Sequence, residues 1–207
     1  MSRYATESTG TSFKQAAAGN HVARCVQIVD LGTQHGEYQG EPNVRQQIIV
    51  RWELPFETIK TEKGEEPMLV SKFYTNSLSE KANLRKDLAN WRTRDFNEAE
   101  LKRFDLQSIL GVPCMVSITH KEGKARVSGI GALPKGTDCP KAHNPLKAFW
   151  MDVWDDNAFA ALPEGFKKII RESDEWKALN SQEAPPPSED QPQGAPVSDD
   201  LDEDIPF

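Results

Sequence analysis

The segment Val44-Arg-Gln-Gln-Ile-Ile-Val-Arg-Trp-Glu-Leu54 decides the fold, because apolar and polar side chains alternate along most of it. Successive side chains of a β-strand point to opposite sides of a sheet, so a period of two predicts a strand with one buried face. A curved sheet with one apolar face would produce this pattern. One face carries Val44, Gln46, Ile48, Val50, Trp52 and Leu54, and the other carries Arg45, Gln47, Ile49, Arg51 and Glu53.

Four further segments have the composition or alternation of strands, at 21–31, 67–75, 114–120 and 124–133. Between the second and third of these, Ser79-Glu-Lys-Ala predicts the start of a helix, with Ser79 or Ser77 as its N-cap. Its apolar stripe is Leu84, Leu88 and Trp91. The sequence Asn97-Glu-Ala-Glu predicts a second, short helix that begins with a capping residue and early acids.

The predicted order is three strands, a helical segment and two strands, which is the order of the five-stranded OB barrel. Small mixed α/β sheets can produce a similar order. We predict a mainly β fold with helices (α+β), in which a five-stranded OB-fold barrel at 1–148 has a helical insert between strands 3 and 4. A helical appendage follows at 149–180, with one helix from about 164 to 179, and a disordered acidic tail follows at 181–207.

Charge is distributed unevenly along the 207 residues. Residues 1–150 hold 21 Lys and Arg against 17 Asp and Glu, a net charge of +4. Residues 151–180 have a net charge of −3, and residues 181–207 have −8 with six of the 14 prolines. A mildly basic body with an acidic tail indicates a polyanion partner for the body and a basic partner for the tail.

Composition excludes several other classes of protein. The mean hydropathy is −0.63, and no apolar run approaches the roughly 20 residues of a membrane span. The first residues, Met1-Ser-Arg-Tyr-Ala, have no secretion pattern, so we expect a cytoplasmic protein without a membrane partner. Three cysteines at unrelated spacings argue against a disulfide framework.

The last nine residues are Asp199-Asp-Leu-Asp-Glu-Asp-Ile-Pro-Phe207. This segment resembles the C-terminal tip of bacterial single-stranded DNA-binding proteins, a family with an OB fold, a disordered linker and an acidic tip that ends in Ile-Pro-Phe. The resemblance implies that replication and repair proteins bind the tip. A partner would need an apolar pocket for the Phe207 ring and a cation for the terminal carboxylate. The expected partner-binding residues are Asp199, Asp200, Asp202, Glu203, Asp204, Ile205, Pro206 and Phe207.

The body differs from the usual bacterial sequence of that family. Three stretches look like those in small replication-associated proteins of tailed bacteriophages, namely Trp52-Glu-Leu-Pro, Phe73-Tyr-Thr-Asn-Ser-Leu-Ser-Glu-Lys and Phe104-Asp-Leu-Gln-Ser-Ile-Leu-Gly. Together the two resemblances imply a phage-encoded single-stranded DNA-binding protein in the host bacterial cytoplasm. Bacterial members are often tetramers, so a homo-oligomer is an open expectation.

A single-strand binder that ignores base sequence needs cations along the phosphate backbone and aromatic faces for the bases. In an OB barrel the groove crosses strands 2 and 3 between two loops. We expect Phe73, Trp52 and Trp91 in the core. The candidate DNA-binding residues are Arg45, Arg51, Lys72, Tyr74, Arg92, Arg94, His120, Lys121, Lys124 and Arg126.

Two other functions remain open alternatives. A metal-dependent nuclease could be recruited by the same tip, with Asp155 and Asp156 as acids, although the sequence shows neither a third carboxylate nor a positioned base. An interaction protein without DNA affinity could display the tip alone. Cys139 and His143 are two of the three or four ligands that zinc needs, so we expect no metal site. We also expect no cofactor and no catalysis.

Overall fold

The computed structural model describes residues 14–62 and 64–181. In this part of the chain six strands occur: β1 (Gly19–Tyr38), β2 (Glu41–Thr61), β3 (Gly64–Thr75), β4 (Pro113–Lys121), β5 (Lys124–Gly131) and β6 (Lys147–Phe149). The α-helices are α1 (Asn83–Arg92), α2 (Glu98–Lys102), α3 (Asp156–Ala160), α4 (Glu164–Arg171) and α5 (Asp174–Ser181), and a 3₁₀ helix covers Leu106–Ile109.

The strands form a curled antiparallel half-barrel with the order β3-β2-β1-β4-β5, and β6 pairs with β1 in parallel. β1 is shared among several partners: its residues 19–24 pair with β4, and its residues 24–38 pair with β2. The five long strands, with helices between β3 and β4, confirm a mainly β fold that is compatible with an OB-like barrel. The short strand β6 was not predicted.

The inner face of the sheet carries the main core. The alternation of β2 is confirmed, since Ile48, Val50, Trp52 and Leu54 are all buried there. Helix α1 closes one end of the half-barrel with Leu84, Leu88 and Trp91, and the Trp52 and Trp91 rings lie 6.4 Å apart. Both tryptophans therefore lie in the core as predicted.

Two helix starts between β3 and β4 differ in how they are capped. Asn97 accepts a hydrogen bond from the Glu100 amide at 2.9 Å, and Glu100 accepts one from the Asn97 amide at 3.1 Å, a reciprocal capping box. This start was predicted. The predicted Ser79 or Ser77 cap of α1 is wrong: the helix begins after Ala82, which makes no side-chain cap.

The C-terminal appendage packs on the outer face of β1 and β2. Val29, Leu31 and Ile49 contribute to this second core from the sheet side, and Phe149, Leu162 and Ile170 contribute from the appendage side. The single helix predicted from 164 to 179 is wrong, because the chain turns at Ser173 between α4 and α5. The Ser173 hydroxyl donates to the Ile170 carbonyl at 2.7 Å, which ends α4 with a buried side chain.

None of the helices in the described ranges is both long enough and apolar enough to cross a membrane.

Candidate nucleic-acid interface

Each of the two aromatic residues of β3 has the opposite exposure to the one predicted. Phe73 is 51% exposed on the outer face, whereas Tyr74 is 4% exposed and points into the core. The prediction of Phe73 as a core residue is therefore wrong. The prediction of Tyr74 as a DNA-binding residue does not fit the structure either, because its buried ring is not accessible to a base.

A buried carboxylate is the partner of two polar side chains on the inner face of β3, Lys72 and Tyr74. The Tyr74 hydroxyl and Lys72 Nζ each donate to Asp87 Oδ2 of α1 at 2.7 Å. Burial and the neighbouring Asp87 charge raise the pKa of Tyr74 above its ordinary value, so the hydroxyl stays a donor. Lys72 is thus part of this core contact and not of an outer groove.

The appendage covers Arg51, another predicted DNA contact. Arg51 lies on the outer face of β2, donates to Gln27 Oε1 at 2.9 Å and lies 5.5 Å from the centre of the Phe166 ring. Burial lowers the pKa of its guanidinium. This arginine holds α4 against the sheet, so its side chain is already engaged within the protein.

Arg92 and Arg94 also have partners within the chain. Both pair with Glu100, Arg94 at 2.8 Å. Arg92 lies over the rings of Phe96 and Phe104, with its guanidinium carbon 4.5 and 4.9 Å from their centres. Arg92 is therefore part of the packing of the helical insert, while the Arg94 side chain is 56% exposed at its edge.

The turn between β4 and β5 and the outer face of β5 bring four predicted residues together. His120, Lys121, Lys124 and Arg126 are all exposed there. His120 Nε2 donates to the Ala16 carbonyl at 2.8 Å, which fixes the imidazole. The three cations remain accessible along one edge of the half-barrel.

Arg45 lies apart from this group, on the distal part of the β1–β2 hairpin. It is exposed, and its Nε donates to Asn43 Oδ1 at 2.6 Å. The hairpin itself is fastened to α5, where Glu175 accepts from the Thr33 amide at 2.7 Å and from its hydroxyl at 2.8 Å. The structure therefore does not bring Arg45 together with the β5 cations.

The strands β3 and β5 face each other across a seam in the half-barrel. Lys72 Nζ bridges one part of the seam, 3.4 Å from the Ser128 carbonyl. Residues 14–16 strap the other part: Lys14 Nζ donates to the Thr58 carbonyl at 2.8 Å, and the Gln15 side chain bonds the backbone of Gly123 and Ala125 at 2.9 and 2.5 Å. Lys14 was missed by sequence reasoning, because only this strap places it beside β5.

The exposed outer surface is divided by charge. The exposed face of β3 carries Leu69, Ser71 and Phe73, and the neighbouring strand β5 carries Lys124 and Arg126. The appendage, with seven acidic and four basic residues between 151 and 180, lies over β1 and β2, next to β3. We call the exposed outer faces of β3 and β5, together with the turn at 121–124 and Lys14, the basic strip, although the turn also carries the exposed acid Glu122.

The two acids considered for metal catalysis are hydrogen-bonded to groups of the protein itself. Asp155 Oδ1 accepts from the amides of Asn157 and Ala158 at 2.8 and 3.0 Å, and Asp156 Oδ1 accepts from the Trp154 indole at 2.8 Å. Across residues 14–62 and 64–181, no three His, Cys, Asp or Glu side chains are grouped as metal ligands would be. The predicted partner-binding tip at 199–207 lies outside the described residues.

A scan against protein-family models finds no match, and a search of curated proteins finds no similar sequence.

Proposed function

We propose that this protein is a non-catalytic single-stranded DNA-binding protein with an OB-like barrel. One observation carries the proposal: an exposed phenylalanine, Phe73, lies on the outer face of the strand that neighbours the cations of β5. Exposure of an apolar ring to water is unfavourable. An exposed ring on a sheet beside several cations is, however, what a single-strand binder needs.

Two interactions would hold the strand: stacking of bases on an aromatic ring and pairing of phosphates with cations. Every base has a π-face, so the Phe73 ring can stack on any of them, and such a stack is worth about 1–3 kcal/mol. Lys121, Lys124 and Arg126 would neutralise phosphates without reading sequence. The acidic appendage repels a polyanion from β1 and β2, which favours a path along the basic strip.

We also propose that residues 199–207 recruit replication and repair proteins, since a tethered acidic segment with an apolar ring suits a basic apolar pocket. A function in replication, recombination or repair of phage DNA in the bacterial cytoplasm follows from the same resemblance. Without DNA, the acidic tail would compete for the basic strip, so deletion of 199–207 should strengthen DNA binding at low salt. Unchanged affinity would argue against this competition.

The first test is a titration of the full chain with a fluorescent dT oligonucleotide at two salt concentrations, followed by anisotropy. We expect saturable binding that weakens with salt and that duplex DNA does not displace. The slope of log affinity against log salt is about −0.7 per neutralised phosphate for single strands. No binding at low salt by the folded protein would contradict the proposal and favour an interaction protein without DNA affinity.

The second test is Phe73→Ala. We expect about tenfold weaker binding to the dT oligomer, from the loss of one stack. The unfolding free energy should change little, because the ring is half exposed. Val153→Ala is the matched control: Val153 is 71% exposed but lies on the acidic side, so its loss should leave affinity unchanged. Equal affinity of Phe73→Ala and the unmodified protein would remove Phe73 from the interface.

The metal-dependent nuclease stays a separate outcome of these measurements. Incubation of labelled single-stranded DNA with the protein and Mg²⁺ or Mn²⁺ would yield shortened products in that case. We expect the label to remain full-length, because the acids at 155 and 156 already cap a helix and hold an indole.

A further inference from the structure

The seam between β3 and β5 contains a cavity of about 300 Å³. It lies between the two closures of the seam, the Lys72–Ser128 bridge and the strap at residues 14–16. Its walls include Met68 and Val70 from β3 and Val127 from β5. The cavity exists because β3 and β5 are the two ends of the sheet order and are not hydrogen-bonded to each other there.

The lining of the cavity combines apolar walls with polar and positively charged side chains. Lys14 and Arg126 are exposed residues of its lining, and Ser71 is exposed on the β3 side. Lys14 donates to the Thr58 carbonyl, but an ammonium group has three donors, so it can also meet an anion. A ligand with a flat apolar part and a phosphate beside it matches this arrangement.

We propose that this seam cavity is a subsite that holds one unstacked nucleobase of the bound single strand, with the adjacent phosphates between Lys14 and Arg126. The inference rests on the proposed function. The volume is at the lower end of the roughly 300–1,000 Å³ range of small-molecule sites, which suits one base and not a run of bases. A single strand supplies such a base at low cost, because its bases are not paired.

The cavity adjoins the exposed face that bears Phe73. Ser71 lies at the cavity and Phe73 two positions further along the same face of β3. One strand can therefore place a base on the Phe73 ring and a nearby base in the cavity, while its phosphates follow β5. The subsite would anchor the strand at a fixed position along the basic strip.

The methyl group of Met68 reports on the cavity, because Met68 lines it and is buried. Methyl-¹³C methionine would be introduced into the full chain, and the spectrum recorded during titration with a dT oligomer. We expect the Met68 signal to shift with the same Kd that anisotropy gives. Met151, a residue of the appendage that is buried in the second core, is the internal control and should not shift. Met68→Leu assigns the signal.

One substitution tests the site by filling it, and a second substitution outside the cavity is its control. Ser71→Leu adds apolar bulk at the mouth, and we expect it to abolish the Met68 shift and to weaken binding about tenfold. Gln46→Leu is the matched control, since Gln46 is also exposed on a strand but lies on the distal β1–β2 hairpin, away from the cavity and the basic strip. It should leave both the shift and the affinity unchanged.

The outcomes separate the two proposals. Binding by anisotropy without a Met68 shift would overturn the subsite and leave the DNA-binding function in place. No binding by anisotropy would overturn both. A Met68 shift that persists in Ser71→Leu with unchanged affinity would also overturn the subsite, because the base would then lie elsewhere.

Discussion

Asp87 of α1 binds two side chains of β3 in the core. Its carboxylate accepts hydrogen bonds from both Lys72 and Tyr74 on the inner face of β3. Lys72, which was predicted to contact DNA, is therefore held in the core. The period of two along β3 is correct, but it does not say which face is buried, because each face carries both apolar and polar residues. Phe73 and Tyr74 were therefore assigned to the wrong sides. No local signal links β3 to a carboxylate on α1.

Asp87→Asn should lower the unfolding free energy by about 2–3 kcal/mol, because it leaves a mostly buried ammonium without its countercharge. Urea unfolding measures the difference. Asp95→Asn is the control: Asp95 pairs with Arg85 at 3.2 Å, but its side chain is 66% exposed, so the cost should stay below about 1 kcal/mol. Equal costs for the two substitutions would contradict the importance of the buried pair.

The short elements between β3 and β4 show what sequence can predict at the scale of a helix. The sequence predicts Asn97 as the capping residue of α2, and in the structure Glu100, three residues further on, completes a capping box with it. The start of α1 and the break at Ser173 depend on tertiary contacts. Ser173 lies against Gly32 of β1, and Glu175 reaches Thr33, so α5 is directed by the sheet. β6 has only three residues, too few for a periodic pattern.

Glu100 should make this region sensitive to acid. The hydrogen bond from Arg94, the Asn97 amide and the Arg92 charge lower the pKa of Glu100 to about 2. A lowered pKa stabilises the fold above the unfolded value of about 4.3, and this contribution is lost as pH falls toward 2. Glu100→Gln should therefore flatten the dependence of Tm on pH between about 4 and 2. Glu98→Gln, on the same helix, should retain the unmodified profile.

At the scale of the molecule, the appendage and the sheet meet at Gly32. Its φ is +72°, and a Cβ there would lie 2.7 Å from Ser173 Cβ and 2.6 Å from Glu175 Oε2. A side chain at this position is both strained and blocked. The order of strands and helices along the chain follows from sequence patterns, but this contact between distant segments does not.

Gly32→Ala should loosen the appendage from the sheet and lower stability by about 2 kcal/mol or more. The loss should appear as faster proteolysis within residues 149–181 and as changed fluorescence of Trp154 and Trp176. Gly36→Ala is the control, because nothing lies within 4 Å of a Cβ at that position. Identical proteolysis of the two variants would contradict this function of Gly32.

The sharing of β1 has a consequence for the order in which the protein is made. β2 and β3 follow β1 directly on the ribosome and can pair as they emerge, but residues 19–23 can pair with β4 only when residues 114–118 have been synthesised. Until then the inner apolar face of the three strands β1 to β3 is uncovered. The outer face stays uncovered for longer, until residues 149–170 have been synthesised. Before β1 closes on β4, the growing chain therefore exposes an apolar face of the kind that favours aggregation.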